Sequence, residues 1–166
     1  ISVSSVSKSF GAPGVRIGWI INRDKELMNN FLAAKEQITI CNSVLDEEVA
    51  CYLVANKKEI LAKNHEHINT NFNYLKQWFA GQEFLEWVEP EAGVVCFPRL
   101  KAGYTVDKDK FYGMLFSKYG TIVGPGHWFE QDKIYMRIGF GYPLFDELKT
   151  GLDNLNKCFT EMTARK

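Results

Sequence analysis

The chain has 166 residues, 46% hydrophobic and 14% aromatic, enough to bury a substantial core and to exclude a disordered protein. Lysine plus arginine and aspartate plus glutamate number 20 each, and this zero formal charge offers no footprint for nucleic acid or an acidic membrane surface. No apolar run approaches the roughly 20 residues of a membrane span and no signal peptide is visible. Cys41, Cys51, Cys96 and Cys158 lack metal-ligand spacing and read as free thiols, so the expectation is a soluble, cytoplasmic protein.

The opening Ile1-Ser2-Val3-Ser4-Ser5-Val6 has a β-like pattern without an initiator methionine. Strands rarely begin a natural polypeptide with no lead-in, which predicts a fragment of a longer protein. Ile17 to Ile21 is a continuous apolar run that suits a strand buried on both faces of a parallel sheet. Asn22-Arg23-Asp24 reads as a turn and helix start, and Lys25 to about Ile38 as a helix with Leu27, Phe31 and Ala34 on one face. Asn42-Ser43 provides the next N-cap, with Glu47 as a loose partner. From Val44 to about Phe79 there is neither proline nor glycine, and apolar residues recur at helical spacing. One helix of that length spans about 50 Å at 1.5 Å per residue and is expected to bridge two bodies.

Gly81 ends that pattern. Short strands are expected at Glu86-Trp87-Val88 and from Gly93 to Phe97, ended by Pro98. Asp107 to Lys118 predicts a helix with Phe111, Leu115 and Tyr119 inward. Thr121-Ile122-Val123 and Ile134 to Ile138 predict strands. Asp146 to Met162 predicts a closing amphipathic helix built on Leu148, Leu152, Leu155 and Phe159. Interleaved strands and helices give an α/β or α+β protein.

The chemistry concentrates between Ser5 and Gly18. Lys8 ends a strand among hydroxyls, two glycines and a proline shape the next turn, and Arg16 follows just before an apolar strand. Such a turn lets backbone approach a ligand closely. Hydroxyls and a guanidinium beside the lysine suit a phosphate, whose oxygens match the arginine fork. Partial burial and a neighbouring cation would free the lysine amine for attack on an aldehyde. Phosphate, aldehyde and lysine together point to pyridoxal phosphate. A Walker loop is a poor fit, because there the lysine follows the glycines. A lone lysine between serines would be read as a solvated charge; the surrounding pattern is what sets this one apart.

The stretch Ser5-Val6-Ser7-Lys8-Ser9-Phe10-Gly11-Ala12-Pro13-Gly14-Val15-Arg16-Ile17-Gly18 resembles the lysine motif of class I/II aminotransferases of the type I pyridoxal-phosphate fold, Ser-x-Ser-Lys-x-Phe-Gly-x-Pro-Gly-x-Arg-x-Gly. The resemblance implies that Lys8 carries pyridoxal 5'-phosphate as a Schiff base and moves a proton. It also implies that Ser5 and Arg16 bind the cofactor phosphate, while Ser7 has no assigned role. Pro90 to Pro98 is similar to the family's strand entering the small domain, with Ala92 where many relatives have a second glycine. Val123 to Phe129 resembles its Pro-Gly-x-x-Phe turn near the substrate entrance. Met136-Arg137-Ile138-Gly139-Phe140 matches the strand whose arginine, here Arg137, grips the substrate α-carboxylate.

By this resemblance residues 1–43 are the C-terminal remnant of the large cofactor-binding domain, and residues 44–166 are a long interdomain helix and an α+β small domain. The implied protein is a homodimeric aminotransferase acting on an amino acid and a 2-oxo acid. The family's aspartate at the pyridine nitrogen, its tyrosine and asparagine at the ring oxygen and its glycine-rich phosphate turn lie upstream of the lysine. The expectation is therefore activity only with the N-terminal part of the same protein. Two alternatives share the scaffold: a carbon–sulfur lyase, and an aminotransferase-like effector domain of a transcription regulator. His65 and His67 point in different directions from one helix and read as a solvated face, and His127 as a loop histidine.

Overall fold

The computed structural model describes residues 1–162 and the backbone of Ala164–Arg165. Two compact units result, Ile1–Glu66 and His67–Lys166. In the first, β1 (Ser2–Ser5) pairs antiparallel with β2 (Gly18–Ile21), Ser2 facing Ile21 and Ser5 facing Gly18. The sequence led us to expect a parallel, doubly buried strand here, and the structure corrects that. The connection between the strands holds only a 3-10 turn, Pro13–Val15, and no crossover helix, so the chain returns against itself. Ile20 and Ile21 stay 42% and 60% exposed. Helix α1 (Lys25–Ile38) has the expected bounds, and its N-cap Asp24 accepts from the Leu27 N–H at 3.1 Å. Its apolar face is only partly covered: Leu27 and Phe31 are half-buried and Ala34 is exposed.

Ser43 caps α2 (Val44–Ala55) as anticipated, accepting from Asp46 N–H, while Asn42 donates to Glu47. The uninterrupted helix from Val44 to Phe79 is not formed. It breaks at Asn56 into α2 and α3 (Lys57–Ala80). The Asn56 amide donates to the Tyr52 carbonyl at 2.8 Å, as does its backbone N–H, and the backbone turns to φ −97°, ψ 19°. A short amide side chain that bonds its own helix's carbonyls competes with continuation of the ladder. The 24 residues of α3 span about 36 Å.

In the second unit α3 ends at Ala80, just before Gly81. There follow β3 (Leu85–Glu86), β4 (Val95–Cys96), β5 (Arg99–Leu100), β6 (Tyr104–Thr105), α4 (Lys108–Ser117, capped by Asp107), β7 (Gly124–Pro125), a 3-10 turn (Gly126–Phe129), β8 (Met136–Gly139), α5 (Phe145–Met162) and β9 (Ala164–Arg165). All strand pairs are antiparallel: β3 with β5, β6 with β9, and β4 and β7 on either side of β8. The strands are shorter than the patterns suggested, and β3 starts one residue earlier than expected. Thr121-Ile122-Val123 forms no strand. Its polar groups are taken elsewhere: Thr121 N–H donates to Leu115 O, and the Asn154 amide donates to Tyr119 O and Thr121 Oγ1.

The core of this unit lies among α3, α4, α5 and β8. Leu148, Leu152, Leu155 and Phe159 of α5 are all buried, as their spacing predicted, against Phe111 and Leu115 of α4 and Leu75 and Phe79 of α3. Phe159 stacks on Phe111 at 4.3 Å between centroids and on Phe84 at 5.5 Å. The fully buried Asn71 of α3 donates to Phe140 O at 2.8 Å and Pro143 O at 2.9 Å, fixing the chain just after β8.

Two measurements test this packing. Leu152→Ala should destabilise the protein by about 2–5 kcal/mol in urea unfolding, because the core residues around it cannot collapse fully into the void. Cys41 and Cys51 are exposed, whereas burial pushes Cys96 up to about 12 and Cys158 up to about 11 from a usual 9.0. A thiol reagent at about pH 8 should therefore label the first pair in the native chain and the second pair only on unfolding. Both buried thiols have raised values, so their contribution to stability is complete below pH 9.0 and is lost as pH climbs towards the folded values.

Candidate cofactor and substrate site

The loop that carries Lys8 is closed by one residue. Val6, fully buried, donates its N–H to Ile17 O at 3.2 Å and accepts from Ala12 N–H at 3.3 Å. Between these anchors Gly11 N–H donates to Lys8 O at 3.1 Å, with Gly11 at φ +66°, a conformation that suits glycine. Ser5 Oγ accepts from Ser7 N–H at 3.3 Å. Arg16 is non-glycine yet left-handed, at φ 56°, ψ 29°, and donates from Nη1 to Pro13 O at 2.9 Å. Such a backbone is costly unless its surroundings impose it, and it collects at ligand-binding turns.

A cavity of about 610 Å³ opens between the strand pair and α1, and Ser5, Ser7 and Arg16 all contribute to its wall. Two hydroxyls and a guanidinium whose other N–H groups remain available form a donor set suited to a phosphate, so these residues fit the anionic end of pyridoxal phosphate. Lys8 is not in that wall; it lies exposed on the turn. The partial burial expected of it is absent from this chain, because α1 covers the strands and not the turn.

Arg137 belongs to the second unit. On β8, burial alternates, with Met136 and Ile138 inward and Arg137 and Gly139 outward. Its guanidinium carbon lies 4.8 Å over the ring of Phe129, and no carboxylate among the described residues pairs with it. The structure thus joins Ser5 and Arg16 at one cavity, hangs Lys8 on the same loop, and places Arg137 outward on the sheet of the other unit. His65 and His127 are exposed and His67 is half-buried; no group of three metal-ligating side chains occurs among the described residues. No helix among the described residues is long and apolar enough to cross a membrane.

Sequence reasoning missed two residues. Asn64 of α3 donates to Ser9 O at 3.0 Å and so ties down the lysine loop from 55 positions away, with no local signal to reveal it. Asn71 was legible in principle: it interrupts an apolar stripe that runs from Ile68 to Leu75 and Phe79.

A family model described as aminotransferase class I and II matches residues 1–144. The chain is 30% identical to capreomycidine synthase of Streptomyces vinaceus over 92% of its own length and 38% of that protein's. It is 25% identical to the HTH-type transcriptional regulator NorG of Staphylococcus aureus over 92% of its length and 34% of the regulator's. It superposes, with a TM-score of 0.86 and 27% identity, on a PLP-dependent aminotransferase from Streptococcus suis, covering 99% of this chain and 42% of that one. The chain thus spans about two fifths of the proteins it matches. Its α/β architecture is part of the type I fold, and the cofactor implied is pyridoxal 5'-phosphate. With the model matched over 144 of its 166 positions, the chain belongs to the class I and II aminotransferase family.

Proposed function

We propose that this chain is the lysine-bearing part of an aminotransferase that moves an amino group between an amino acid and a 2-oxo acid. The observation that carries the reading is the Val6-closed loop, which presents Lys8 while Ser5 and Arg16 face one cavity. Pyridoxal 5'-phosphate, when bound, supplies an aldehyde for amines and a ring that accepts the electron pair left at the substrate Cα. Ser5 and Arg16 hold the phosphate by charge-assisted hydrogen bonds. Lys8 Nζ is the amine that would hold the cofactor's aldehyde end and, as a free base, would take up the proton from the substrate Cα. Arg137 would grip the substrate α-carboxylate with its planar fork. Asn64 holds the Ser9 carbonyl and limits the travel of the loop.

In this reading residues 1–43 complete a large cofactor domain, and residues 44–166 supply the interdomain helix and the small domain. Unit Ile1–Glu66 supports this: Val6 and Ala50 are its only buried apolar residues among those described, while Ile1, Val3, Ile21, Ile38 and Ile40 are more than half exposed. Turnover belongs to the intact protein, a homodimer with its own N-terminal part, working in the cytoplasm where exposed thiols stay reduced. A second reading, an effector domain that binds the cofactor to control transcription, draws on the likeness to NorG. A helix-turn-helix upstream together with no transamination by the intact protein would favour it.

Borohydride treatment of the cofactor-loaded intact protein should fix the cofactor on the peptide carrying Lys8, as read by mass spectrometry; labelling of any other lysine rules the assignment out. Lys8→Ala should lower kcat at least about 100-fold. Arg137→Gln should raise KM for the amino acid about 10- to 100-fold, the worth of hydrogen bonds to a charged group. Asn64→Ala removes a bond worth about 0.5–1.5 kcal/mol, so amide exchange at Gly11 and Ala12 should quicken by about two- to tenfold; unchanged exchange would show that Asn64 does not restrain the loop.

A further inference from the structure

An exposed arginine on a strand is a long, mobile side chain, and holding one geometry costs it rotamer entropy. A carboxylate neighbour could orient it, but would occupy the fork that a ligand needs. Arg99 illustrates that outcome: its Nε donates to Glu86 Oε1 at 2.7 Å and its Nη1 to the Tyr135 hydroxyl at 3.4 Å, leaving it committed. Arg137 is held differently. It lies over the Phe129 ring at 4.8 Å, and Phe97 meets Phe129 edge-on at 5.6 Å and 82°. A ring face attracts the cation through its quadrupole and takes none of its N–H donors.

The backbone makes room for this arrangement. Gly124 sits directly opposite Arg137 in the β7–β8 register. A Cβ there would lie 3.1 Å from Phe129 Cε2, 3.4 Å from Phe129 Cζ and 3.4 Å from Arg137 Cβ, so even a methyl group would press on the ring and shift it by a few tenths of an ångström. On the other flank, Val95 faces Gly139 and Cys96 faces Ile138, and the Met136 N–H to Pro98 O bond of 2.9 Å continues that register, setting Phe97 across from Arg137. The turn is braced at both ends: Gly126 N–H donates to Tyr135 O at 2.8 Å, and Glu130, next to Phe129, is held left-handed at φ 57°.

We infer that Phe129 is a positioning residue for Arg137: with Gly124 clearing its place and Phe97 backing it, the ring pre-orients the guanidinium and leaves the whole fork open to a carboxylate. This rests on the reading of Arg137 as the carboxylate anchor. Pre-ordering lowers the entropy lost on binding, so the ring strengthens ligand affinity without touching the ligand. The residues of the second unit alone form this device.

The test uses the intact, cofactor-loaded protein, with KM and kcat for its best amino acid and the inhibition constant of hexanoate, a carboxylate without an amine. An exposed cation–π contact implies a two- to fivefold effect. Phe129→Leu should raise KM and the hexanoate constant by about that factor with kcat changed by less than about twofold, and Phe129→Tyr should restore both. Gly124→Ala should weaken hexanoate binding in the same sense but add nothing in the Phe129→Leu background, since the ring it displaces is then gone. Equal losses in the Leu and Tyr variants, or a hexanoate constant indifferent to Phe129→Leu while Arg137→Gln raises it, overturn the positioning role alone. If Arg137→Gln leaves that constant unchanged, the carboxylate anchor is itself wrong and the inference goes with it.

Discussion

Val6 is the residue on which the lysine loop depends. Its two backbone bonds, to Ile17 O and from Ala12 N–H, carry the strand ladder one step past Ser5 and Gly18 and clamp both ends of the loop. Its side chain is fully buried, so opening the loop exposes apolar surface and breaks two backbone hydrogen bonds. Everything between the anchors is then short and locally bonded: the Lys8–Gly11 turn, the Pro13–Val15 3-10 turn, and the left-handed Arg16 that re-aims the chain into β2. The backbone at Lys8 is held by these bonds, while its exposed side chain stays free to move.

The second unit solves a different problem, how to display a cation. The period-two alternation of β8 buries Met136 and Ile138 in the α3–α4–α5 core and turns Arg137 out. The strand is fixed from inside by that core and at its far end by Asn71, whose amide holds the carbonyls of Phe140 and Pro143. The ion pairs near this strand have been given to other tasks. Lys108 with Asp132 and Lys133 with Asp109 tie the segment before β8 to α4, and Arg99 with Glu86 ties β5 to β3. These acidic side chains are engaged elsewhere, and Arg137 lies over the neutral ring of Phe129.

Where sequence patterns misled, a polar side chain or a missing cover was responsible. The helix from Val44 to Phe79 looked continuous because asparagine is no obligatory breaker; only in the fold does the Asn56 amide close on Tyr52 O. The Thr121–Val123 run is apolar and β-branched enough for a strand, but Asn154 and Leu115 take its polar groups first. Ile17 to Ile21 carries the composition of a doubly covered strand, whereas this chain provides one strand and one helix beside it. Local propensity was a weak prior, outweighed by a local side-chain bond at Asn56, a distant partner at Thr121 and incomplete cover at Ile20 and Ile21.

The amino-acid sequence by itself determined the family, the bounds of α1 and the inward face of α5, and it singled out the Ser5–Gly18 motif. Those depend on residue type and short spacing: a capping aspartate, a 3.6-residue period, and a lysine, two glycines, a proline and an arginine within fourteen positions. Only the tertiary structure decided that Asn64 restrains the lysine loop, that Asn56 divides the long helix, and that Gly124 yields its space to the ring beneath Arg137. These outcomes join residues far apart in the chain, or turn on which of several possible partners a polar group reaches first. Distances of that kind exist only once the backbone has closed on itself, so no reading of neighbours along the chain contains them.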